Sequence, residues 1–177
     1  MQGDIERILF EQTEIQERIR VLAEQITSDY LCCPLTVLAV MSGALVVAAD
    51  LIRQIPLPLQ LGCISASSYG NGAESSGKVV LQNLKELDIA GRHVLIVDDI
   101  LDTGNTLRAL QEELQKYNPL SIKSCFLLRK LKSRTVHADY VGFEIANDFV
   151  VGYGLDYQER YRNLPFIGVL SLQGLNS

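Results

Sequence analysis

The chain has 177 residues, 47% of them hydrophobic, and carries 16 Lys and Arg against 21 Asp and Glu for a formal net charge of −5. That allows one substantial core and is too short for two ordinary domains, so a single unit over residues 1–177 is expected. The acid excess without a dense basic block argues against a broad nucleic-acid face, and no apolar run reaches the roughly 18 residues of a membrane span.

The amphiphilic, acidic N-terminus is unlike a signal peptide, so a soluble, cytoplasmic protein is expected. Four cysteines, Cys32, Cys33, Cys63 and Cys125, show no zinc-ligand spacing and no histidine grouping. Buried free thiols in a reducing compartment are the expectation.

In chain order, the first helix is expected from about Glu14, with Thr13 and Gln16 as a capping box and Ile15, Ile19, Leu22 and Ile26 on one face. Thr36 to Met41 reads as a strand. A turn at Ser42-Gly43 then opens a helix to about Ile55, ended by Pro56 and Pro58. Leu59 to Ser68 looks extended, with Lys78 to Leu81 returning as its antiparallel partner. Between them YGNGAESSG, Tyr69 to Gly77, holds three glycines and two serines. Such a segment is expected to be a mobile loop, suited to excluding water from a reaction.

Val94 to Val97 is a short β-branched run of the kind found in a central parallel strand, and Asp98 and Asp99 emerge at its carboxyl end. Thr103, Gly104, Asn105 and Thr106 then open a helix to about Tyr117, with Leu107, Leu110 and Leu114 on its buried stripe. A helix N-terminus offers unpaired amides and the positive end of a dipole, so this turn is a candidate phosphate cradle. Gly104 lets the backbone approach the anion because it has no Cβ. Asp102 fits either an acid of this site or an ordinary helix cap.

Ser121 to Leu128 is the next strand, followed by the densest basic cluster: Arg129, Lys130, Lys132 and Arg134. Tyr140 to Phe143 and Phe149 to Val151 read as short strands. Taken alone, Lys130 fits a solvated surface lysine and Phe149 a core aromatic. Alternating strands and helices give an α/β fold: a mostly parallel twisted sheet flanked by helices, with ligands at the carboxyl ends of the strands.

The segment VLIVDDILDTGNTL resembles the phosphoribosyl-diphosphate signature of type I phosphoribosyltransferases. MSGA at Met41 to Ala44, SSYG at Ser67 to Gly70, and YVGFEIANDFVVGYGLDYQERYRNLP from Tyr140 to Pro165 narrow the resemblance to hypoxanthine(-guanine) phosphoribosyltransferases. The resemblance implies a single domain with a small hood, an active-site loop at about 69–77 including Ser68, Tyr69 and Gly70, and a cis peptide joining Met41 to Ser42. It implies magnesium-dependent transfer of the 5-phosphoribosyl group from phosphoribosyl diphosphate to hypoxanthine, and to guanine, giving the nucleotide and diphosphate. Purine salvage is the implied setting.

By the same resemblance, Asp98, Asp99, Asp102, Thr103, Gly104, Asn105 and Thr106 hold the phosphoribosyl group, and Asp102 is the catalytic acid or base near purine N7. Met41, Ser42, Gly43, Arg134 and Arg162 face the diphosphate. Lys130, Phe149, Val150 and Asp156 form the purine site, with Lys130 on the six-position oxygen. Asp98, Asp99 and Asp156 are the implied Mg2+ ligands. The implied partners are the two substrates and further copies of the chain, as homodimer or homotetramer, with no nucleic acid and no membrane.

The chain departs from many relatives in having Asp98 where they have Glu and Ser42 where several have Lys. Two other readings stay open: a xanthine-preferring phosphoribosyltransferase, and a nucleotide-sensing RNA-binding regulator on the same fold. The second tends to have Tyr where Asp102 stands and needs a basic RNA face.

Overall fold

The structure is a computed structural model describing residues 4–68, 79–82 and 88–171. Its strands and helices run β1 (Ile5–Phe10), α1 (Gln12–Asp29), β2 (Leu35–Met41), α2 (Leu45–Arg53), β3 (Leu59–Ser68), β4 (Val79–Gln82), β5 (His93–Leu101), α3 (Asn105–Leu114), β6 (Ser121–Lys130), β7 (Tyr140–Ile145), β8 (Val150–Val151) and β9 (Ile167–Leu170). A six-stranded sheet has the order β4-β3-β2-β5-β6-β7, and a three-stranded sheet has the order β1-β9-β8. Only the edge strand β4 runs antiparallel in the larger sheet, and all pairs of the smaller sheet are antiparallel. The expected α/β class and the small hood are both present.

The apolar runs explain the centre of the sheet. Leu35 to Val40 and Val94 to Val97 are buried without interruption, as strands covered on both faces require. The helices cover them with Ile15, Ile19, Leu22, Ala23 and Ile26 of α1, Val47, Ala48 and Leu51 of α2, and Leu107, Leu110 and Leu114 of α3.

The topology also places a crevice. β2 leads through α2 to β3 on one side of the sheet, while β5 leads through α3 to β6 on the other, so the winding direction changes between β2 and β5. Ligands in open α/β sheets bind outside the strand ends at such a point. Here β2 and β5 pair only from Leu35↔His93 to Ala39↔Val97. Beyond Val97, β5 follows β6 alone to Leu101↔Arg129. The two acids at Asp98 and Asp99 therefore lie within β5, at the stretch where it has parted from β2.

Several expectations need correction. Helix α1 starts at Gln12, and its capping box uses Glu11 and Glu14 in place of Thr13 and Gln16; Glu14 Oε2 accepts from the Glu11 amide at 2.9 Å. Strand β1 ends at Phe10, so one residue links it to the helix and sets the cap there. Strands β1 and β9, which pair with each other, were not among the expected elements. The motif helix ends at Leu114 and continues to Tyr117 as a single 3-10 turn, closed by Asn118 at φ 53°.

All four cysteines are free, as expected, but only Cys125 is buried. Cys63 is exposed on β3, alternating with buried Gly62 and Ile64, and Cys32 sits in an exposed turn. Burial pushes the Cys125 thiol up to about 12, which makes it inert as a nucleophile. No helix among the described residues is long and apolar enough to cross a membrane.

Candidate active site

Three chain segments converge at the crevice. The loop after β2 contains a cis peptide between Met41 and Ser42, as the resemblance implied. Its Gly43 lies so close to β5 that a Cβ there would stand 2.0 Å from Asp99 Oδ2. From the other side, a Cβ on Gly154 would stand 2.4 Å from the Gly43 carbonyl oxygen. The Tyr153 hydroxyl donates to Asp50 of α2, which ties this third segment to the helix that follows the Met41 loop.

Asp98 and Asp99 are fixed by main-chain amides. Asp98 Oδ1 accepts from the Asp99 amide at 2.9 Å, and Asp99 Oδ1 accepts from the Ile100 amide at 2.7 Å. Burial, and then the charge of Asp99, push the Asp98 carboxyl well above its ordinary range. Burial raises Asp99 as well, against the opposing pull of its hydrogen bonds and of Arg162. Two enclosed neighbouring carboxylates that resist carrying two charges are a place where hydroxyl donors or a cation bring relief.

This donor set fits magnesium. Oxygen ligands suit the ion, which commonly takes one or two protein carboxylates and completes its shell with substrate phosphates and water. Among the described residues no group of three or more His, Cys, Asp or Glu is placed to hold a metal ion by itself. Asp156 instead pairs with Arg162: Arg162 Nη2 lies 2.9 Å from Asp156 Oδ1, and Nη1 donates to the Gly154 carbonyl at 2.8 Å. Arg162 is thus anchored to the same segment that touches Gly43.

Asp102 is not the cap of α3. The N-cap is Gly104, whose φ of +79° is the left-handed conformation that favours glycine, and the space a Cβ would need is taken by Val136, 2.8 Å away. Gly104 is therefore required by its backbone angle and by Val136, reasons additional to anion approach. Asp102 faces the end of β6, where Lys130 Nζ donates to Oδ2 at 3.2 Å and Lys132 Nζ stands 2.6 Å from Oδ1 as an ion pair. Partial burial favours the neutral acid, but the Lys132 and Lys130 ammonium groups outweigh it and hold the carboxyl below its ordinary value. The Ser133 hydroxyl donates to the Asp102 carbonyl, joining the two chain segments a second time. At the start of α3 the backbone N–H groups of the first turn are not used within the helix. Thr103 Oγ1 makes only a long contact, 3.4 Å, with the Asn105 amide.

Phe149 is 43% exposed, which rules out the core reading, and its ring meets Tyr157 edge-on with centroids 5.3 Å apart. Val150 beside it is buried in β8. Arg134 is engaged by Glu144 of β7, which also binds Arg129. The Arg134 hydrogen bond and then that of Arg129 hold Glu144 down to about 2. Ser68 closes β3 opposite Val79, while Tyr69, Gly70 and the rest of the expected 69–77 loop lie outside the described residues.

The structure thus brings together Gly43, Asp99, Arg162 and Asp156 on one side and Asp102 with Lys130 on the other, and it gives Arg134 a separate partner. Lys132, Ser133 and Gly154 were not assigned to the site from sequence. The basic cluster and the VGYG glycines were their only signals.

A crevice at the change of sheet winding, with paired acids on one strand and an acid-lysine pair beside it, is the arrangement of a nucleotide-handling α/β enzyme of the phosphoribosyl-transfer type. The chain belongs to the phosphoribosyl transferase domain family, whose model matches residues 8–158. It is 47% identical over 178 residues to the hypoxanthine-guanine phosphoribosyltransferase of Mycobacterium tuberculosis, covering 95% of this chain and 87% of that protein. The protein of the same description from Bacillus subtilis is 45% identical over 174 residues, covering 96% of each. Among solved structures, a hypoxanthine phosphoribosyltransferase from Staphylococcus aureus superposes with a TM-score of 0.92 at 39% identity, over 98% of this chain and 95% of that one.

Proposed function

We propose that the chain transfers the 5-phosphoribosyl group from phosphoribosyl diphosphate to hypoxanthine, and to guanine, releasing diphosphate in a purine-salvage reaction. The observation that carries this reading is the contact of Lys130 with Asp102 at the crevice, which sets a hydrogen-bond donor and a carboxylate side by side. The six-position oxygen of a 6-oxopurine accepts from Lys130, whereas adenine presents an amine there and leaves two donors opposed. The exposed face of Phe149 is available to stack on the base.

In the reaction the N9 lone pair bonds to the anomeric carbon as the bond to diphosphate oxygen breaks, and that electron pair leaves with diphosphate. Asp102 accepts the imidazole proton at N7, and its charge favours the positive sugar that develops. The amides from Thr103 to Thr106, in the turn that opens α3, hold the 5′-phosphate, and Asp98 and Asp99 accept from the ribose hydroxyls. The Met41–Gly43 loop and Arg162 receive the diphosphate, with Arg134 assigned there too, on exchange from Glu144. Magnesium, held by Asp98, Asp99 and Asp156 with the substrate's oxygens, would supply positive charge for the departing diphosphate.

Residues 1–177 are read as one domain, supported by the pairing of Ile5 with Leu170. The test is steady-state turnover of hypoxanthine, guanine, xanthine and adenine with phosphoribosyl diphosphate, with and without chelator. Turnover of the 6-oxopurines that stops in chelator and returns with magnesium is expected. A preference for adenine, or undiminished turnover in chelator, would overturn the reading.

A further inference from the structure

Asp102 carries two lysines, and the proposed reaction uses only one of them. Lys130 Nζ donates to Oδ2 at 3.2 Å, while Lys132 Nζ lies 2.6 Å from Oδ1. Oδ1 is buried and accepts no aligned hydrogen bond among the described residues, so the Lys132 ammonium is the charge that compensates it. To reach the purine oxygen, Lys130 must give up its hydrogen bond to Oδ2. If Lys130 were the only cation present, base binding would leave a partly enclosed carboxylate without a partner, and such losses are costly.

We propose that Lys132 is a positioning residue of the site: it keeps Oδ1 of Asp102 neutralised and in place while Lys130 passes to the base and Oδ2 turns to the purine N7. The inference rests on the 6-oxopurine reading above. It divides the work between the two carboxylate oxygens, one anchored and one reactive.

The local fold supports this division. Lys132 lies in a 3-10 turn, Leu131–Ser133, that directly follows β6. The next residue, Ser133, is 3% exposed, and its hydroxyl donates to the Asp102 carbonyl. The turn therefore grips Asp102 through its main chain at one residue and its side chain at the adjacent one. Lys130 is fixed as the last residue of β6, with a side chain only 12% exposed, whereas the Lys132 side chain is 46% exposed. The flexible, solvated lysine can follow Asp102 as the base enters. Among the described residues, the charged groups that face the Asp102 carboxylate are these two lysines, and both favour its ionised form.

The test compares the wild type with Lys132→Met, Lys132→Arg, Asp102→Asn and the Lys132→Met/Asp102→Asn double variant. KM is measured separately for hypoxanthine and for phosphoribosyl diphosphate, and the Asp102 carboxyl is titrated by 13C NMR. Lys132→Met is expected to raise KM for hypoxanthine on the order of tenfold, a charged contact discounted for its exposure, and to leave KM for phosphoribosyl diphosphate unchanged. The Asp102 titration should move to higher pH in Lys132→Met and return in Lys132→Arg. In the Asp102→Asn background Lys132→Met should have no further effect.

Equal effects of Lys132→Met in both backgrounds, parallel changes in the two KM values, or an unmoved Asp102 titration would each overturn the assignment. If the wild type does not turn over hypoxanthine, the functional reading fails. The titration still decides whether Lys132 holds Asp102.

Discussion

Gly43→Ala is expected to strain the join between the Met41 loop and β5 and to weaken handling of phosphoribosyl diphosphate selectively. The added carbon would stand 2.0 Å from Asp99 Oδ2, where ordinary contact begins at 3.4 Å. Asp99 can yield only by turning away, which breaks its 2.7 Å hydrogen bond with the Ile100 amide. Retreat of the loop meets the Gly154 segment instead, which already lies against the Gly43 carbonyl. Overpacking of a filled site costs about 1–3 kcal/mol, and an orphaned amide a similar amount. A loss of about 2 kcal/mol corresponds to a Tm lower by roughly 4–8 °C in a chain of this size. Thermal melts followed by circular dichroism would measure it. Steady-state kinetics should show a raised KM for phosphoribosyl diphosphate and an unaltered KM for hypoxanthine. A variant with wild-type Tm and wild-type KM for phosphoribosyl diphosphate would refute the close approach of Gly43 to Asp99.

Asp102→Asn should keep the fold and lower kcat more than nucleotide affinity, because the amide lacks the charge and basicity of the carboxylate while the α3 amides remain; single-turnover rates set against nucleotide monophosphate binding decide it. Lys130→Ala should weaken hypoxanthine binding by about 1.5–3 kcal/mol, the worth of a charged hydrogen bond, with little change for phosphoribosyl diphosphate; calorimetry with each ligand would show the split. For Glu144, held down to about 2 by Arg134 and Arg129, the contribution to stability is complete above its unfolded value near 4.5 and is lost as pH falls through that window. Acid titrations of wild type and Glu144→Gln should therefore converge toward pH 2 and separate at neutral pH; parallel curves would show the cluster to be without effect.

The sheet was legible where the chain is continuously apolar. Strands β2, β5 and β6 follow from runs that no surface strand would carry, and α3 follows from its leucine spacing. Strands β1 and β9 are short, and their pairing shifts register between Ile5 and Arg7 and again between Ile8 and Phe10, so β1 shows no clean alternation. Exposure of Cys63 depends on which face of β3 turns to the core, a matter of layer packing that local sequence does not encode.

In the site, the aspartates and the threonine-glycine turn were visible as an ordered motif. The choice between cap and acid for Asp102 was not, since both uses suit Asp before a helix; the left-handed Gly104 removes the cap reading by taking that position. Lys132 escaped for a similar reason. Its role depends on a 3-10 turn folding back onto the loop after β5, and only the chain path shows that.

The three-stranded hood has a consequence for how the enzyme is made. Its middle strand is β9, near the end of the chain, and its outer strands are β1 from the beginning and β8 just after the large sheet. The amide of Leu170 donates to the carbonyl of Phe149, so this exposed aromatic is braced by a residue synthesised 21 positions later. On a ribosome, the six strands of the large sheet emerge before β9, while β1 waits for its partner until residues 167–170 have been made. The segment from Asp98 to Thr106 can therefore assemble with the large sheet during synthesis, but the Phe149 segment gains its Leu170 hydrogen bond only when β9 inserts between β1 and β8.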